Sequence, residues 1–307
     1  MSAAAGPGDA AASFEPHRRF LVGLAYRMLG SVAEAEDVAQ DAFLRWHGVD
    51  RASVAEPRAF LARIATRLCF DRMKAASAQR ERYVGTWLPE PVVEAGPGLG
   101  SAGAADHAVD RGPHHAAELA EDVSFALLMT LERLSPLERA AFLLHDVFDL
   151  DYAEIARTLE RSEAACRQLA ARGRDHVRDQ RPRFEASPDD RARLAGAFHT
   201  AMLHGDLAAL AQLLADDAVF YTDGGGKRSA ALNPIYGKAK ILRFLAGLAA
   251  KQRLPDPAAA APAQINGLPG FVIRTDEGLE TLAFETSGDH IAAIYGVRNP
   301  DKLRHLR

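Results

Sequence analysis

Leu134-Ser135-Pro136-Leu137-Glu138-Arg139, Asp151-Tyr152-Ala153-Glu154 and Ser162-Glu163-Ala164-Ala165-Cys166-Arg167-Gln168-Leu169-Ala170-Ala171-Arg172-Gly173-Arg174 follow one another closely and decide the fold of the middle of the chain. Ser135 supplies an N-cap, Pro136 the first helical position and Glu138 the third, so a helix starts there. Asp151 and Glu154 repeat the capping-box spacing and open a helix through Ile155, Ala156 and Leu159; Ser162 caps the next, through Ala165, Cys166 and Leu169. Two short helices joined by a tight turn, the second rich in Arg, make a helix-turn-helix. With Ala165, Cys166 and Leu169 inward, Glu163, Arg167, Gln168 and Arg172 face outward, where they reach base edges or phosphates in a major groove. Small Ala164 and Ala171 let the backbone approach closely. Upstream, Val123, Leu127, Leu128, Leu131 and Leu134 carry the periodicity of a preceding helix.

Toward the N-terminus, Leu21, Leu24, Ala25, Met28 and Leu29 form one apolar helical face, which Gly30 ends. Ser31 with Glu34 caps a second helix whose apolar face is Ala35, Val38, Ala39, Ala42, Phe43 and Trp46. Its other face is acidic. A loop from Gly48 to Glu56 leads to Pro57, and Phe60, Leu61, Ile64, Ala65 and Leu68 continue a third helix. That helix carries Arg58, Arg63, Arg67, Arg72, Lys74, Arg80 and Arg82 against only Asp71 and Glu81. A long basic helix fed by a loop suits a melted strand, with Arg63, Arg67 and Lys74 on phosphates while the loop accepts an unstacked base.

The chain has 307 residues, 48% apolar and 25% charged, which predicts two or three domains with ordinary cores. Its net charge of −4 excludes a uniformly basic nucleic-acid binder. Local fields are opposite, however. A second basic block, Arg157, Arg161, Arg167, Arg172, Arg174, Arg178, Arg181 and Arg183, is separated from the first by acidic sequence, which points to two contacts with a polyanion and one with another partner. No apolar run is long enough to span a bilayer. Met1 to Ala12 lacks the features of a signal peptide and is expected to be a disordered tail of a cytoplasmic protein. Cys69 and Cys166, the two cysteines, are expected as small core residues, with no disulfide or metal site.

Between Arg82 and Ala116 the composition turns to Gly, Pro, Ala and His, the mark of a linker. Within it, Trp87 of Trp87-Leu88-Pro89-Glu90-Pro91 needs a docking site, since exposed Trp surface forfeits a few kcal/mol. From Ser187 the pattern becomes α+β: helices over Arg191–His204, Leu207–Leu214 and Ile235–Ala250, and strands over Val219–Thr222, Gln264–Asn266, Phe271–Thr275, Leu279–Thr286 and His290–Val297. Turns at Leu268-Pro269-Gly270, Asp276-Glu277-Gly278 and Ser287-Gly288-Asp289 predict an antiparallel meander. The glycines of Asp223-Gly224-Gly225-Gly226-Lys227 suit a contact loop; the spacing of a phosphate-binding loop is missing.

Ala35-Glu36-Asp37-Val38-Ala39-Gln40-Asp41-Ala42-Phe43 resembles sigma region 2.2, and Leu134 to Arg139 with the helix-turn-helix resembles region 4 of extracytoplasmic-function (ECF) RNA polymerase sigma factors. The resemblance implies that Asp37, Gln40 and Asp41 contact core RNA polymerase, that the segment Val49–Arg82 melts and reads the −10 element of promoter DNA, and that Glu163, Arg167, Gln168, Ala171 and Arg172 meet the −35 element. Trp87-Leu88-Pro89-Glu90-Pro91, Asp223 to Lys227 and Asn299-Pro300-Asp301-Lys302-Leu303 are similar, in order, to three signatures of the ECF41 group. The C-terminal extension of that group resembles SnoaL-like, NTF2-fold cone domains. The expected organisation is multi-domain: a disordered tail (1–12), an all-α region 2 bundle (13–83), a linker (84–116), an all-α region 4 (117–184) and an α+β cone domain (187–307). In the group the extension tunes activity in cis through Trp87, Leu88, Pro89, Asp223, Gly224, Gly225, Gly226, Lys227, Asn299, Pro300, Asp301, Lys302 and Leu303, with no dedicated anti-sigma protein.

Two other classes compete. SnoaL-like folds include enzymes with a His/Asp pair in a conical pocket, which makes His199, His204, Asp217, Tyr221 and Asp223 the polar groups to place, although fold analogy is not a function. A pocket retained for a small-molecule effector is the milder version. A ligand-responsive repressor would explain one helix-turn-helix and a sensor domain, and would leave the acidic helix and first basic block unused. No catalytic residue, cofactor or membrane contact is expected.

Overall fold

The computed structural model describes residues 7–80, 83–95, 123–178, 187–251 and 256–306. They form two compact units, one of Met1–Glu81 with Ala126–Arg181, the other of Arg82–Phe125 with Pro182–Arg307. The first holds helices α1 (Pro7–Leu29), α2 (Val32–His47), α3 (Pro57–Arg80), α4 (Phe125–Glu132, all but its first residue), α5 (Pro136–Phe142), α6 (Tyr152–Leu159) and α7 (Glu163–Arg178). The disordered tail expected through Ala12 is a correction: α1 already begins at Pro7, and Ala10 is buried. The residues from Leu21 to Gly30 are buried all round rather than on one face, because α1 packs on α2 and α3 and also touches α5.

Arg139 of α5 is 1% exposed. Its guanidinium donates to the Met28 carbonyl in the last turn of α1 and, at 2.8 Å, to Glu132 Oε1. A cation there meets the negative end of the helix dipole, so a buried charge is doubly compensated. The expected caps form: Ser31 Oγ accepts from Glu34 N at 3.2 Å, Asp151 Oδ1 from Glu154 N at 2.7 Å, Ser162 Oγ from Ala165 N at 3.2 Å, and Ser135 with Glu138 closes a full capping box. Leu143–Val147, beyond α5, is a π-helical turn that the apolar pattern did not announce.

Helices α5 and α7 cross at Gly173, where an added Cβ would lie 2.8 Å from Phe142 Cβ and 3.3 Å from the Glu138 carbonyl. Gly173→Ala is therefore expected to push the helices apart and cost about 1–3 kcal/mol. A drop in the urea midpoint of the full chain measures it, and an unchanged midpoint would contradict this packing.

The second unit contains β1 (Val93–Ala95), α8 (Pro188–His204), α9 (Leu207–Leu213), β2 (Leu214–Asp223), β3 (Ile235–Tyr236), α10 (Lys238–Ala250), β4 (Ala260–Ile265), β5 (Leu268–Thr275), β6 (Gly278–Ser287) and β7 (His290–Val297). Its seven strands run in the order β1-β4-β5-β6-β7-β2-β3. The meander β4 to β7 is antiparallel as expected, but β2 adds parallel to β7, Tyr221 facing Tyr295. Phe220, Phe271, Ile273, Phe284 and Ile294 of one sheet face meet Leu194 and Phe198 of α8 and Ile241 and Leu245 of α10 in the core.

Four expectations are corrected in this unit. Residues 83–95 of the linker join it, and Val93–Ala95 pair with β4; Asn266 offers both Oδ1 to Val92 N and its own N–H to the Val92 carbonyl, closing an edge that β4 would otherwise leave open. The rest of the linker, from 96 to 116, lies outside the described residues. The first turn of the meander is Asn266-Gly267, both at positive φ, so Leu268-Pro269-Gly270 belongs to β5. Ile235 and Tyr236 are a strand, since Gly237 at φ 89 separates them from α10. Leu214 opens β2 instead of closing a helix.

Candidate functional site

On α2, Asp37 and Gln40 are exposed, while Asp41 is held by Arg72 of α3 at 2.9 Å. Arg72 also donates to the Glu34 carbonyl at 2.7 Å, so α2 presents its acids from a fixed position. On α3, Arg63, Arg67 and Lys74 are separated by four and seven residues and share one side of the helix. Lys74 and Arg67 are exposed; Arg63 stacks over Phe60 at 5.2 Å, and Arg67 pairs with Glu160 in the turn before α7. Side chains of 76–80, and residues 81–82 altogether, lie outside the described residues, as do Arg181 and Arg183 of the second basic block.

Helix α7 presents Glu163, Arg167, Gln168 and Arg172 as exposed side chains and Ala171 half-exposed, while Cys166, Leu169 and Ala170 are buried beneath. Arg167 pairs with Glu163 at 2.8 Å and lies over the Tyr152 ring at 5.0 Å. Arg172 reaches Glu138 Oε1 at 2.8 Å. The Glu138 carboxyl is held below its ordinary range, chiefly by the Ser135 hydroxyl and further by Arg172. Both cysteines are buried, and burial pushes the Cys69 thiol up to about 12, so it is a core side chain and not a nucleophile.

In the second unit the three separated motifs meet at one carboxylate. Asp223 is fully buried, and its Oδ2 accepts from Leu88 N at 2.8 Å and from Lys302 Nζ at 2.7 Å. Its Oδ1 accepts from Tyr83 Oη at 2.6 Å and Gly225 N at 3.0 Å. Lys302 also donates to the Leu88 carbonyl and lies 4.2 Å from the centroid of Trp87, which thereby finds its docking site. Asn299 Nδ2 donates to Tyr83 Oη at 2.9 Å, and its side chain passes so close to Gly225 that a Cβ there would fall 2.1 Å from Nδ2. Gly225 and Gly226 sit at φ 59 and 69, and Lys227 pairs with Asp301. Leu88, Pro89 and Leu303 are buried.

Sequence reasoning missed Tyr83, whose phenol is raised above its ordinary range by burial and then by Asp223. A tyrosine a few residues before Trp87 was the available signal. Of the polar groups weighed for catalysis, only His199 lines the cavity between the sheet and its helices. His204 and Asp217 are exposed, Asp223 is engaged as above, and Tyr221 stacks on Tyr295 on the opposite sheet face, so the five do not converge.

The sigma-70 region 2 family matches residues 14–79, and sigma-70 region 4 matches residues 124–177. Over 299 residues the chain is 38% identical to the ECF RNA polymerase sigma factor SigJ of Mycobacterium tuberculosis (strain ATCC 25618 / H37Rv), covering 94% of this chain and 92% of that protein. The chain belongs to the ECF RNA polymerase sigma factors. A crystal structure of Mycobacterium tuberculosis SigJ superposes with a TM-score of 0.75 at 36% identity, covering 96% of this chain and 98% of that one. The probable ECF sigma factor SigI of the same organism is 36% identical over 203 residues, 66% of each chain. This sigma factor thus carries its acidic α2 face and basic α3 in region 2 and its helix-turn-helix in region 4, followed by the mixed sheet domain that the cone-fold resemblance implied. No helix among the described residues is long and apolar enough to cross a membrane.

Proposed function

We propose that this sigma factor engages core RNA polymerase through Asp37, Gln40 and Asp41, places Arg63, Arg67 and Lys74 at the −10 element and Glu163, Arg167, Gln168, Ala171 and Arg172 at the −35 element, and is tuned in cis by its own C-terminal unit. The observation that carries the cis reading is the clamp of Lys302 and Asp223 on the backbone of Leu88. Leu88 lies in the chain between the two promoter-binding regions, so the C-terminal unit holds their tether. Fixing part of a tether lowers its reach and the effective concentration of the second domain at its element. Such a device needs no dedicated anti-sigma protein, and the protein works where polymerase and promoter are, in the cytoplasm.

Purified protein with core enzyme is expected to yield promoter-specific transcripts. Truncation after Phe184, and separately removal of Asn299–Arg307, should each change the yield; equal yields from all three proteins would refute cis regulation. Silence of the full-length and both shortened forms would refute the polymerase and promoter assignment itself.

Asp37 is exposed and free of the Arg72 contact that ties Asp41 to α3. Asp37→Lys should therefore weaken core binding roughly tenfold or more, because opposed like charges cost up to several kcal/mol. Stability should move by less than about 0.5 kcal/mol. Unaltered affinity in a core-binding titration would remove this face from the interface.

A further inference from the structure

One face of the C-terminal sheet and helices α8 and α10 flank an open cavity of about 390 Å³, within the range of small-molecule sites. Its walls are mostly apolar, and four phenylalanines, Phe198, Phe220, Phe244 and Phe271, are among the residues that line it. His199 lies face to face with Phe271, the rings 4.7 Å apart at 24°, and Phe220 meets Phe244 edge-on at 5.8 Å. Ring faces and edges arranged this way favour a flat, unsaturated occupant.

The polar groups of the lining are unbalanced. Arg243, Lys251 and Arg298 contribute cations, and Glu280 is the one carboxylate among the lining residues. Glu280 is already committed, accepting from Arg298 at 2.8 Å and from Arg228 at 3.4 Å. Arg298 donates its terminal nitrogens to Glu280 and to the Ser229 carbonyl, so its charge is committed within the chain. The lining therefore keeps an excess of positive charge at Arg243 and Lys251.

Helix α10 supplies the rim. Arg243, Gly247 and Lys251 stand four residues apart, so they lie in one row, and all three are exposed. A Cβ on Gly247 would meet nothing within 4 Å. Packing therefore does not require the glycine, which weakens a helix interior, while its missing side chain leaves an opening between two cations. No described carboxylate pairs with Arg243 or Lys251.

We propose that this cavity binds a flat hydrophobic carboxylic acid, an aryl or fused-ring carboxylate, its rings among the phenylalanines and its carboxylate at the rim between Arg243 and Lys251. Carboxylate oxygens satisfy a guanidinium through charge-assisted hydrogen bonds, which a neutral or cationic analogue of the same skeleton cannot form. The proposal concerns ligand capture alone and is independent of the cis-regulatory reading, because it is tested without polymerase or DNA.

Full-length protein is titrated calorimetrically with benzoate, 2-naphthoate and anthracene-2-carboxylate, and with the methyl ester and aminomethyl counterpart of each. At least one acid should bind with a Kd below about 1 mM and about tenfold tighter than its ester and amine. Gly247→Trp, which fills the opening, should abolish binding of acid and ester alike. Arg243→Glu with Lys251→Glu, at exposed positions that leave the core untouched, should remove the preference for the acid while sparing the ester. This pair carries the test should the tryptophan lower the melting temperature. Absence of binding by every acid, equal affinity for acid and ester, or a preference for the acid that survives Arg243→Glu with Lys251→Glu would each overturn the proposal.

Discussion

Lys302→Met is expected to destabilise the C-terminal unit by about 3–5 kcal/mol, the usual cost of stranding one member of a buried ion pair. Asp223 and the Lys302 side chain are 0% and 9% exposed, and their contact is 2.7 Å, so water cannot replace the lost cation. The substitution also removes the donor to the Leu88 carbonyl and the cation over Trp87, which loosens the linker at the same stroke. Lys227→Met is the control, because the Lys227–Asp301 pair is 53% and 39% exposed and such pairs contribute about 0–1 kcal/mol. Urea unfolding followed by tryptophan emission measures both variants, with Trp87 inside the affected cluster. A loss for Lys302→Met no larger than for Lys227→Met would mean that the Asp223 carboxylate is held by Tyr83, Leu88 and Gly225 alone.

That cluster explains why residues far apart in sequence behave as one site. Asp223 ends β2, and its own carbonyl accepts from the backbone of Arg298 and Asn299 just past β7, so the parallel pairing of the two strands brings the glycine turn beside the C-terminal tail. Gly225 then has no room for a side chain against Asn299. The linker arrives as an added edge strand, and its Leu88 N–H completes the carboxylate's shell.

Local signals were legible where the sequence needs only neighbours to act. Ser135-Pro136, Asp151 and Ser162 cap their helices through contacts three residues away, so their spacing alone placed the helix-turn-helix. Trp87 was legible as a side chain in need of a partner, and the chemistry of the acidic and basic helices pointed to two kinds of contact. Long-range pairings were not legible. Val93–Ala95 has no alternation to mark a strand and becomes one because the edge of β4 is there to receive it. Tyr83 and Arg139 take their roles from atoms 140 and 111 residues away, and no periodicity records such distances. Asn266-Gly267 is different, a hairpin signal present in the sequence and passed over for the neighbouring Pro-Gly.

Arg167→Ala should lower promoter-specific transcription about tenfold to a hundredfold while leaving stability within about 1 kcal/mol of the parent. A good side-chain contact to a base edge discriminates by about 1–3 kcal/mol, and Arg167 stands on the exposed face of α7 beside Gln168. Its partner in the free protein, Glu163, is 48% exposed, and exposed pairs of this kind add little to folding. The guanidinium is thus released to DNA at small cost. Arg172 is a poorer probe, because Glu138, its partner, is 18% exposed and also closes the capping box of α5, so Arg172→Ala mixes lost stability with lost contact. Transcription from promoters altered one base pair at a time in the −35 element distinguishes the modes of contact. A base contact predicts relaxed preference at one position in the variant; a phosphate contact predicts uniform weakening and a salt dependence reduced by about one unit of slope. Full activity of Arg167→Ala on every promoter would remove this residue from the recognition surface and turn attention to Gln168 and Arg172.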